Sequence, residues 1–455
     1  MSGDQPEPLA SERNPRNENE EEEDRPSPSP PPSPSRPNPA PAPPNNIDQS
    51  NHETTPEEEA LILPSLPNDI SRHICSFLGV QDILSKQTVS KPFQKALLRA
   101  LEEKKKPNAG IFKTKKQLQV ATNKLIQCKY VKFDHKLAEE IAREYGWIMN
   151  LWNVSQIEDF INLFANKEKF NEDISMWHVV NGRDFRGMFL NANAFSCDLS
   201  RWDLSSAKSL RKMFLGASSF CSDLSQWNVA SVNSVCAMFS GASSFTSDLS
   251  EWETGAVTEM AFMFRGASSF QSDLSQWNVA SVESMQAMFD GASSFTSDLS
   301  KWDTGKVRNM ASMFSGASSF QSNLSRWNTG NVEYTMNMFE SASSFESDLS
   351  SWNTASIRNM TFMFCNATLF KADLSGWNVD RALQDPNFFY GMFFNCSIKP
   401  EDVQDWTGWD FTLANNFHFA FHGYGGESSN EWERFKRQLE EEAASKKQDD
   451  SKGKK

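Results

Sequence analysis

The chain has 455 residues, with 45 basic and 59 acidic side chains and a formal net charge of −14. This acidic balance argues against nucleic acid as a partner. No run of 18 apolar residues occurs and the N-terminus is acidic, so we expect neither a signal peptide nor a membrane span. The seven cysteines lack CxxC spacing, which predicts reduced thiols rather than disulfides or zinc. We therefore expect an intracellular protein, cytoplasmic or nuclear.

Proline divides the chain into two kinds of segment. Fifteen of the 21 prolines lie in residues 1–60, which also carry 4 basic and 14 acidic side chains. Such a segment has too few apolar groups to offset chain entropy, so we predict a disordered, acidic, Pro-Ser-rich tail. Its PxxP spacings could serve SH3-type partners, although a solvated spacer is the simpler interpretation.

Residues 64–100 carry apolar side chains at helical spacing, followed by short apolar runs. The string LPNDISRHICSFLGVQDILSKQTVSKPF, residues 66–93, resembles an F-box. The resemblance implies docking to a Skp1-type adaptor of a cullin-based ubiquitin ligase. Its partner-facing or core residues would be Leu66, Pro67, Ile70, Ile74, Leu78, Ile83, Leu84 and Val89. Two departures are Phe93, where the family usually has Trp, and the polar pair Lys86-Gln87, so a plain helical cap is the alternative.

Residues 101–146 form a lysine-rich segment that we interpret as a basic helical linker and N-terminal cap. The lysines could mark nuclear import or nucleic-acid contact, but a solvated helix face is the simpler interpretation. Asp134 precedes Leu137, Ile141 and Tyr145 at helical spacing, and Gly146 can end that helix.

Tryptophan recurs with a strict period, at positions 152, 177, 202, 227, 252, 277, 302, 327, 352 and 377. Phenylalanine repeats in step, and each unit follows the pattern LSxWxVxxVxxMxxMFxGASSFxSD. One unit cannot close a core by itself, so neighbouring units must stack. An inward Trp buries roughly 150 to 250 Å², a gross gain of about 4 to 6 kcal/mol per coil.

Within each unit, LxxWxV has the inward pair expected of a parallel strand. The following VxxMxxMF has apolar spacing closer to a short helical or 3₁₀ segment. The predicted fold class is therefore an α/β repeat solenoid, leucine-rich-repeat-like, with parallel strands plus short helical segments over residues 147–379.

The repeat resembles the BspA-like leucine-rich repeats, also catalogued as a mycoplasma-type repeat of unknown function, in which FNxDISxW recurs. Phe170, Asn171, Asp173, Ile174 and Trp177 reproduce that motif. The resemblance covers residues 147–395. Bacterial members are surface adhesins, which gives a cell-surface location as the alternative.

After Trp377 the 25-residue rhythm fails, because the next Met-Phe pair, Met392-Phe393, comes four residues late. Many aromatic residues follow. We predict an aromatic C-terminal cap over residues 380–426, then a helix and charged tail over residues 427–455.

No constellation of residues points to catalysis, a metal or a cofactor. A column of aspartates resembles a calcium ladder, but its glycine-rich spacing is missing, so backbone N–H groups are the expected ligands. The column comprises Asp173, Asp198, Asp223, Asp248, Asp273, Asp298, Asp348 and Asp373, with Asn323 at the one break. The function should therefore reside in a surface that binds another protein.

The candidate surface consists of the outward residues on either side of each buried Trp. We predict that the side chains before it and after it face a partner: Arg201, Asp203, Gln226, Asn228, Glu251, Glu253, Gln276, Asn278, Lys301, Asp303, Arg326 and Asn328. With the F-box-like module, this predicts a substrate adaptor for an unknown target protein. The alternative is a surface, structural or adhesion protein, consistent with sequons such as those at Asn153 and Asn323.

The inward and outward assignment is testable by a pair of neighbouring substitutions. Trp277→Ala should lower the free energy of unfolding by about 3 to 5 kcal/mol because it opens a cavity. Gln276→Ala should change it by less than about 0.5 kcal/mol. Denaturant unfolding measures both, and equal losses would contradict the assignment.

Overall fold

The computed structural model describes residues 111–380, 388–404, 406, 420–422, 434 and 437. The predicted tail, the F-box-like module and most of residues 407–455 lie outside the described residues. Among the described helices, none is long and apolar enough to cross a membrane.

Two helices precede the repeats. Helix α1 spans Lys115–Ile126 and begins at Thr114, whose side chain accepts the Gln117 N–H. It continues into a π-helical turn, Gln127–Val131. Helix α2 spans His135–Glu144 and is capped by Asp134, whose carboxylate accepts the Leu137 N–H at 3.0 Å. Its C-terminal end is closed by Gly146, at a φ of 83°.

The segment around these helices covers the first coil. Ile111 forms a parallel bridge with Asn153, and the ring of Phe112 lies 5.2 Å from the rings of both Tyr145 and Trp152. Lys115 pairs with Asp159 at 2.9 Å. The open end of the aromatic core is thereby closed, as the terminal unit of a repeat array requires.

Each 25-residue coil pairs with the next through one parallel bridge and a ladder of hydrogen bonds. The bridged residues are Asp159, Asp184, Ser209, Ser234, Glu259, Ser284, Asn309, Tyr334 and Asn359. In the coil that contains Val235, the N–H groups at 235, 237, 239 and 241 donate to the carbonyls at 259, 261, 263 and 265 of the next coil, at 3.2, 2.8, 2.9 and 2.6 Å. The N–H groups at 238 and 240 bond within their own coil, to the carbonyls at 235 and 237. Almost no backbone donor in the ladder is thus left without an acceptor.

The position of this ladder corrects the expected secondary structure. It runs through VxxMxxMF, which was predicted to be a short helical or 3₁₀ segment, whereas within residues 152–379 the structure contains neither an α-helix nor a 3₁₀ helix. The LxxWxV segment was predicted to be the strand, but it is a turn in which the Trp227 N–H donates to the Leu224 carbonyl at 3.0 Å. The leucine-rich-repeat-like solenoid class as a whole stays a prediction. The structure describes a parallel stack of 25-residue coils.

Left-handed backbone explains why the ladder segment is neither helix nor regular strand. Every coil has two residues with positive φ, four positions apart, such as Ala237 at 54° and Gly241 at 72°. The first column is Asn162, Gly187, Lys212, Ala237, Phe262, Ala287, Ser312, Asn337, Phe362 and Gly391. The second column is Asn166, Asn191, Gly216, Gly241, Gly266, Gly291, Gly316, Ser341, Asn366 and Asn395. At each of these residues the backbone turns with left-handed instead of right-handed geometry, so a right-handed helix cannot continue through the segment.

The core consists of aromatic columns, and its coils are further apart on one side than on the other. The Phe column from Phe164 to Phe364 repeats at 5.4 to 5.7 Å. The column from Phe170 to Phe370 repeats at 5.8 to 6.0 Å. The nearly parallel indoles repeat at 6.2 to 6.5 Å. Since paired strands lie about 4.8 Å apart, the coils fan out from the ladder toward the tryptophans.

Backbone carbonyls satisfy the buried indoles. Each Trp from Trp177 to Trp377 in the repeat is 4 % exposed or less, and its ring N–H donates to a carbonyl of the preceding coil, as Trp227 does to Leu199 at 3.0 Å. A buried Trp needs such a partner for its N–H. The repeat therefore both buries the apolar ring of each tryptophan and supplies a hydrogen-bond acceptor for its ring N–H.

The ladder extends past the predicted boundary at residue 379. Met360 donates to the Phe388 carbonyl, whereas the spacing of the earlier coils would place that acceptor at position 384, so the coil absorbs the four-residue insertion before Phe388. The ring of Phe393 then stacks on Phe364 at 6.3 Å. Residues 388–394 thus form a further row of the ladder, and the aromatic cap over residues 380–426 stays a prediction. Phe393 is covered in turn by Trp406 and Phe421, at 6.0 and 5.7 Å, beside the short helix α3, Pro400–Gln404.

The positive φ of Gly241 gives a testable prediction for its substitution by alanine. Gly241→Ala should lower the free energy of unfolding by about 1 kcal/mol for conformational reasons alone, because an added Cβ would lie 3.5 Å from the nearest atom. The matched control is Gly376→Ala, at a glycine with ordinary φ and space, which should leave stability unchanged or raise it by up to about 1 kcal/mol. Equal effects of the two variants in urea unfolding would rule out the conformational explanation.

Candidate partner-binding groove and the tryptophan face

The tryptophan face is the exposed surface over the Trp column, formed by the Asp column and by the residues directly before and after each Trp. All twelve predicted partner-facing residues, from Arg201 to Asn328, are exposed on it. The buried tryptophans alternate with them along each coil. Their assignment as binding residues stays a prediction.

The side chains after each Trp have a structural task. Asp203 accepts the N–H of Ser205 at 2.9 Å, and Asn228 accepts that of Ala230 at 3.1 Å. Asn278, Asp303 and Asn328 make the same bond with the residue two positions on. These residues form turns that bring the chain from the tryptophan to the ladder. One oxygen of each is therefore committed to the backbone.

The side chains before each Trp lie further out in solvent. Gln276 reaches only its neighbour Ser275, at 3.2 Å, and the Arg201 guanidinium lies 3.9 Å from the Met176 sulfur. Glu251, Lys301 and Arg326 are exposed. This edge of the face offers more unengaged polar groups than the edge after the tryptophans.

The aspartate column binds backbone and hydroxyl donors, as the sequence predicts. Asp248 Oδ1 accepts the Ser250 N–H at 2.9 Å and the Ser272 hydroxyl of the next coil at 3.0 Å. The same hydroxyl oxygen accepts the Leu249 N–H at 2.8 Å. Hydrogen bonding, first of all from the Ser250 backbone, lowers the pKa of Asp248. Among the described residues no group of His, Cys, Asp and Glu could hold a metal ion.

A groove of about 610 Å³ opens on the tryptophan face at its N-terminal end. Its lining consists of polar groups, one thioether and one thiol: Asn150, Asn171, Asp173, Ser175, Met176, Ser196, Cys197, Asp198 and Arg201. The groove spans the first coils only. Of the residues predicted as partner-facing, Arg201 alone lines it.

The groove lies where the repeat departs from its own pattern. Met176 stands where the coils from Trp202 to Trp352 carry a polar or charged residue, and Cys197 stands where the coils from Trp227 to Trp352 carry a serine. Asn150 donates to Asp173 at 2.5 Å and accepts the Met176 N–H at 2.7 Å. These contacts hold the groove wall in place.

The Cys197 thiol acts as a structural substitute for serine. Its sulfur accepts the Ile174 N–H at 3.4 Å, as the hydroxyl of Ser222 accepts the Leu199 N–H. Burial, foremost, raises the pKa of Cys197 to about 12. The thiol is therefore protonated at neutral pH, which does not suit a nucleophile.

Apolar side chains are exposed on the first coils, and one of them, Met176, lines the groove. Leu151 and Met176 occupy equivalent positions in successive coils and are each 51 % exposed, while Val180 is 39 % exposed. Large apolar groups that share an exposed site are typical of surfaces that bind another molecule.

The N-terminal cap fixes one wall of the groove. Glu172 pairs with Lys129 at 2.6 Å and accepts the Tyr130 hydroxyl proton at 2.9 Å. The same hydroxyl oxygen accepts the N–H of the groove residue Asn171, at 3.4 Å. Burial and, secondly, the Glu172 charge raise the pKa of Tyr130. The π-helical turn and the first coils therefore hold each other at the groove.

Sequence reasoning missed this groove because it looked for a column that repeats. The available signal was the opposite, a local loss of the repeat at Asn150, Met176 and Cys197. Such losses identify positions where the scaffold pattern is not the only constraint. They do not by themselves show that the positions share a concave surface.

Comparison with known proteins identifies the repeat. Residues 136–252, 216–325 and 295–406 match the family described as "Mycoplasma protein of unknown function, DUF285". The three overlapping matches cover more than half of the chain. No curated protein and no solved structure matches it.

The aspartate column predicts a specific loss of stability in acid. The folded pKa of Asp248 lies below its ordinary 3.8, so its contribution is present above that pH and is lost as pH falls through the folded pKa. Asp248→Asn keeps an oxygen for the Ser250 N–H, as Asn323 does for Ser325 at 3.0 Å, and should reduce the drop in urea midpoint between about pH 7 and pH 3. The reverse change, Asn323→Asp, should enlarge that drop. Identical pH profiles for all three proteins would contradict this role.

Proposed function

The chain belongs to the DUF285 family of repeat proteins, and we propose that it is a non-catalytic scaffold whose tryptophan face binds a target protein. The observation that carries the proposal is the groove at the N-terminal end of that face. It combines a concave wall, exposed apolar side chains and unengaged charge, which are the usual components of a protein-binding site.

The physical character of the stack supports this role. Its coils are joined by continuous ladders and aromatic columns, so the face is preorganised and loses little conformational freedom on binding. Near-identical central coils maintain the scaffold, while the individual residues at Met176 and Cys197 adapt one end of it. Such a division of labour suits a protein that presents a binding site.

We further propose that the chain is an F-box-type substrate adaptor. The support is the F-box-like string over residues 66–93, with Leu66, Pro67, Ile74 and Leu78 at the positions that would contact a Skp1-type protein. The stack would then hold a target for a cullin-based ubiquitin ligase. A surface or adhesion protein without a ubiquitin role is the second candidate, favoured by the exposed sequon residues Asn153 and Asn323.

A pull-down with purified Skp1-type protein separates the two candidates. The full chain should be retained, and Ile74→Asp combined with Leu78→Asp should abolish retention because both changes place charge in the apolar contact. Met176→Ser, in the groove, serves as the matched control and should leave retention unchanged. Absence of binding, or binding that survives the double substitution, would sink the adaptor proposal. Glycans on Asn153 or Asn323 in the native host would support the surface role.

A further inference from the structure

The charge on the tryptophan face around the groove is predominantly negative. Between residues 173 and 253, Asp173, Asp198, Asp223 and Asp248 form one edge, and the positions before and after each Trp add three further carboxylates and one cation, Arg201. Backbone N–H groups are the first cause that holds the pKa values of Asp198, Asp223 and Asp248 below the ordinary range. Asp198, Asp223 and Asp248 are consequently ionised at neutral pH, and the edge attracts cations.

Asp198, Asp223 and Asp248 are exposed on the tryptophan face. Asp223 bonds the Ser225 N–H and the Ser247 hydroxyl through Oδ1, and Asp198 bonds the Ser200 N–H through Oδ1 as well. These bonds orient the column without neutralising it. Since a carboxylate has about four acceptor sites, each of these exposed side chains can still accept a hydrogen bond from a partner.

The apolar part of the surface adjoins the first aspartates of this edge, since Asp173, Met176 and Asp198 line the same groove. Leu151 and Met176 are half-exposed on successive coils, and the next residue in that column is Arg201. An apolar side chain of a partner can rest on the two, while the rest of the partner passes over the carboxylates. The surface is therefore polar along its length, with one apolar anchor point.

The distance between successive coils determines which residues of an extended partner segment can contact them. On this face, successive tryptophans lie 6.2 to 6.5 Å apart. An extended segment advances about 6.2 Å per two residues as polyproline II and about 6.8 Å as a β-strand. Every second residue of such a segment, running along the stack, thus meets one coil.

We propose that the groove and the acidic edge bind an extended cationic segment of a partner protein, with one apolar residue followed by Lys or Arg at every second position. This rests on the proposed protein-binding function and specifies the target's chemistry. The apolar residue contacts Leu151 and Met176, and the cations contact Asp198, Asp223 and Asp248 on successive coils. The alternative that the experiment must exclude is an acidic partner segment bound through Arg201.

Short fluorescent peptides test the proposal on the full chain. One probe is acetyl-Leu-Ser-Lys-Ser-Lys-Ser-Lys-amide, the second has the same composition with the lysines adjacent, and the third carries Glu in place of each Lys. By fluorescence anisotropy, the alternating cationic probe should bind about tenfold more tightly than its isomer, and its affinity should fall as salt is added. The acidic probe should not bind.

Single substitutions locate the contacts. Met176→Ser should weaken the alternating probe about tenfold through loss of the apolar anchor, and Asp198→Asn should weaken it about threefold or more through loss of charge. The matched control is Asp348→Asn, six coils away in the same column and with the same bond to the N–H two residues on, which should change affinity less than about twofold. Equal binding of the two cationic isomers, or an unchanged affinity in Met176→Ser, would overturn the proposal.

Two outcomes separate this inference from the proposed function. Binding of the acidic probe that is lost in Arg201→Ala reverses the charge assignment but leaves a protein-binding groove in place. A photo-crosslinker at position 176 tests the groove in cells independently of any peptide. If the crosslinker captures partner proteins but the chain binds no cationic probe, the inference about a cationic segment is overturned and the proposed protein-binding function is not. If neither the probes nor the crosslinker shows binding, both proposals are overturned.

Discussion

Coil-to-coil hydrogen bonds through VxxMxxMF support everything else in this protein. Alternate N–H groups point along the stack and the others bond within the coil, an arrangement made possible by two left-handed residues per coil, such as Ala237 and Gly241. The ladder keeps each coil in register with the next. With that register set, each Phe and Trp lies against its own counterpart, and neighbouring coils complete a core that no single coil can close.

The aromatic columns then determine the geometry of the outer face. Because the indoles repeat at 6.2 to 6.5 Å while the Phe164 column repeats at 5.4 to 5.7 Å, the coils diverge toward the tryptophans. No backbone ladder can bridge the wider side, so side chains connect the coils there. The hydrogen bonds that join Asp248, Ser272 and Leu249 are one such connection, and the bond from the Trp227 indole N–H to the Leu199 carbonyl is another.

This division explains where a binding site can arise. Residues that make these hydrogen bonds or form the turns, such as Ser272 and Asn278, are constrained in every coil. The first coils are less constrained by neighbouring coils. On their N-terminal side they contact the helical cap, whose residues Lys129 and Tyr130 bind the Glu172 carboxylate. Met176 and Cys197 lie at that junction. The groove is thus a consequence of ending a regular stack on a helical cap.

Sequence by itself determined the period, the buried Trp column, the turn-forming aspartates and the helix that begins at Asp134, because each follows from local chemistry or from a strict repeat of residue types. Tertiary structure decided which half of the coil carries the ladder. Lys212, Ala237 and Phe262 give no local signal for positive φ, because side chains of these types disfavour it, and each N–H group there bonds to a carbonyl of the next coil. The groove was likewise decided by packing, because Asn150, Asp173 and Arg201 are distant in sequence and meet only when three coils are stacked.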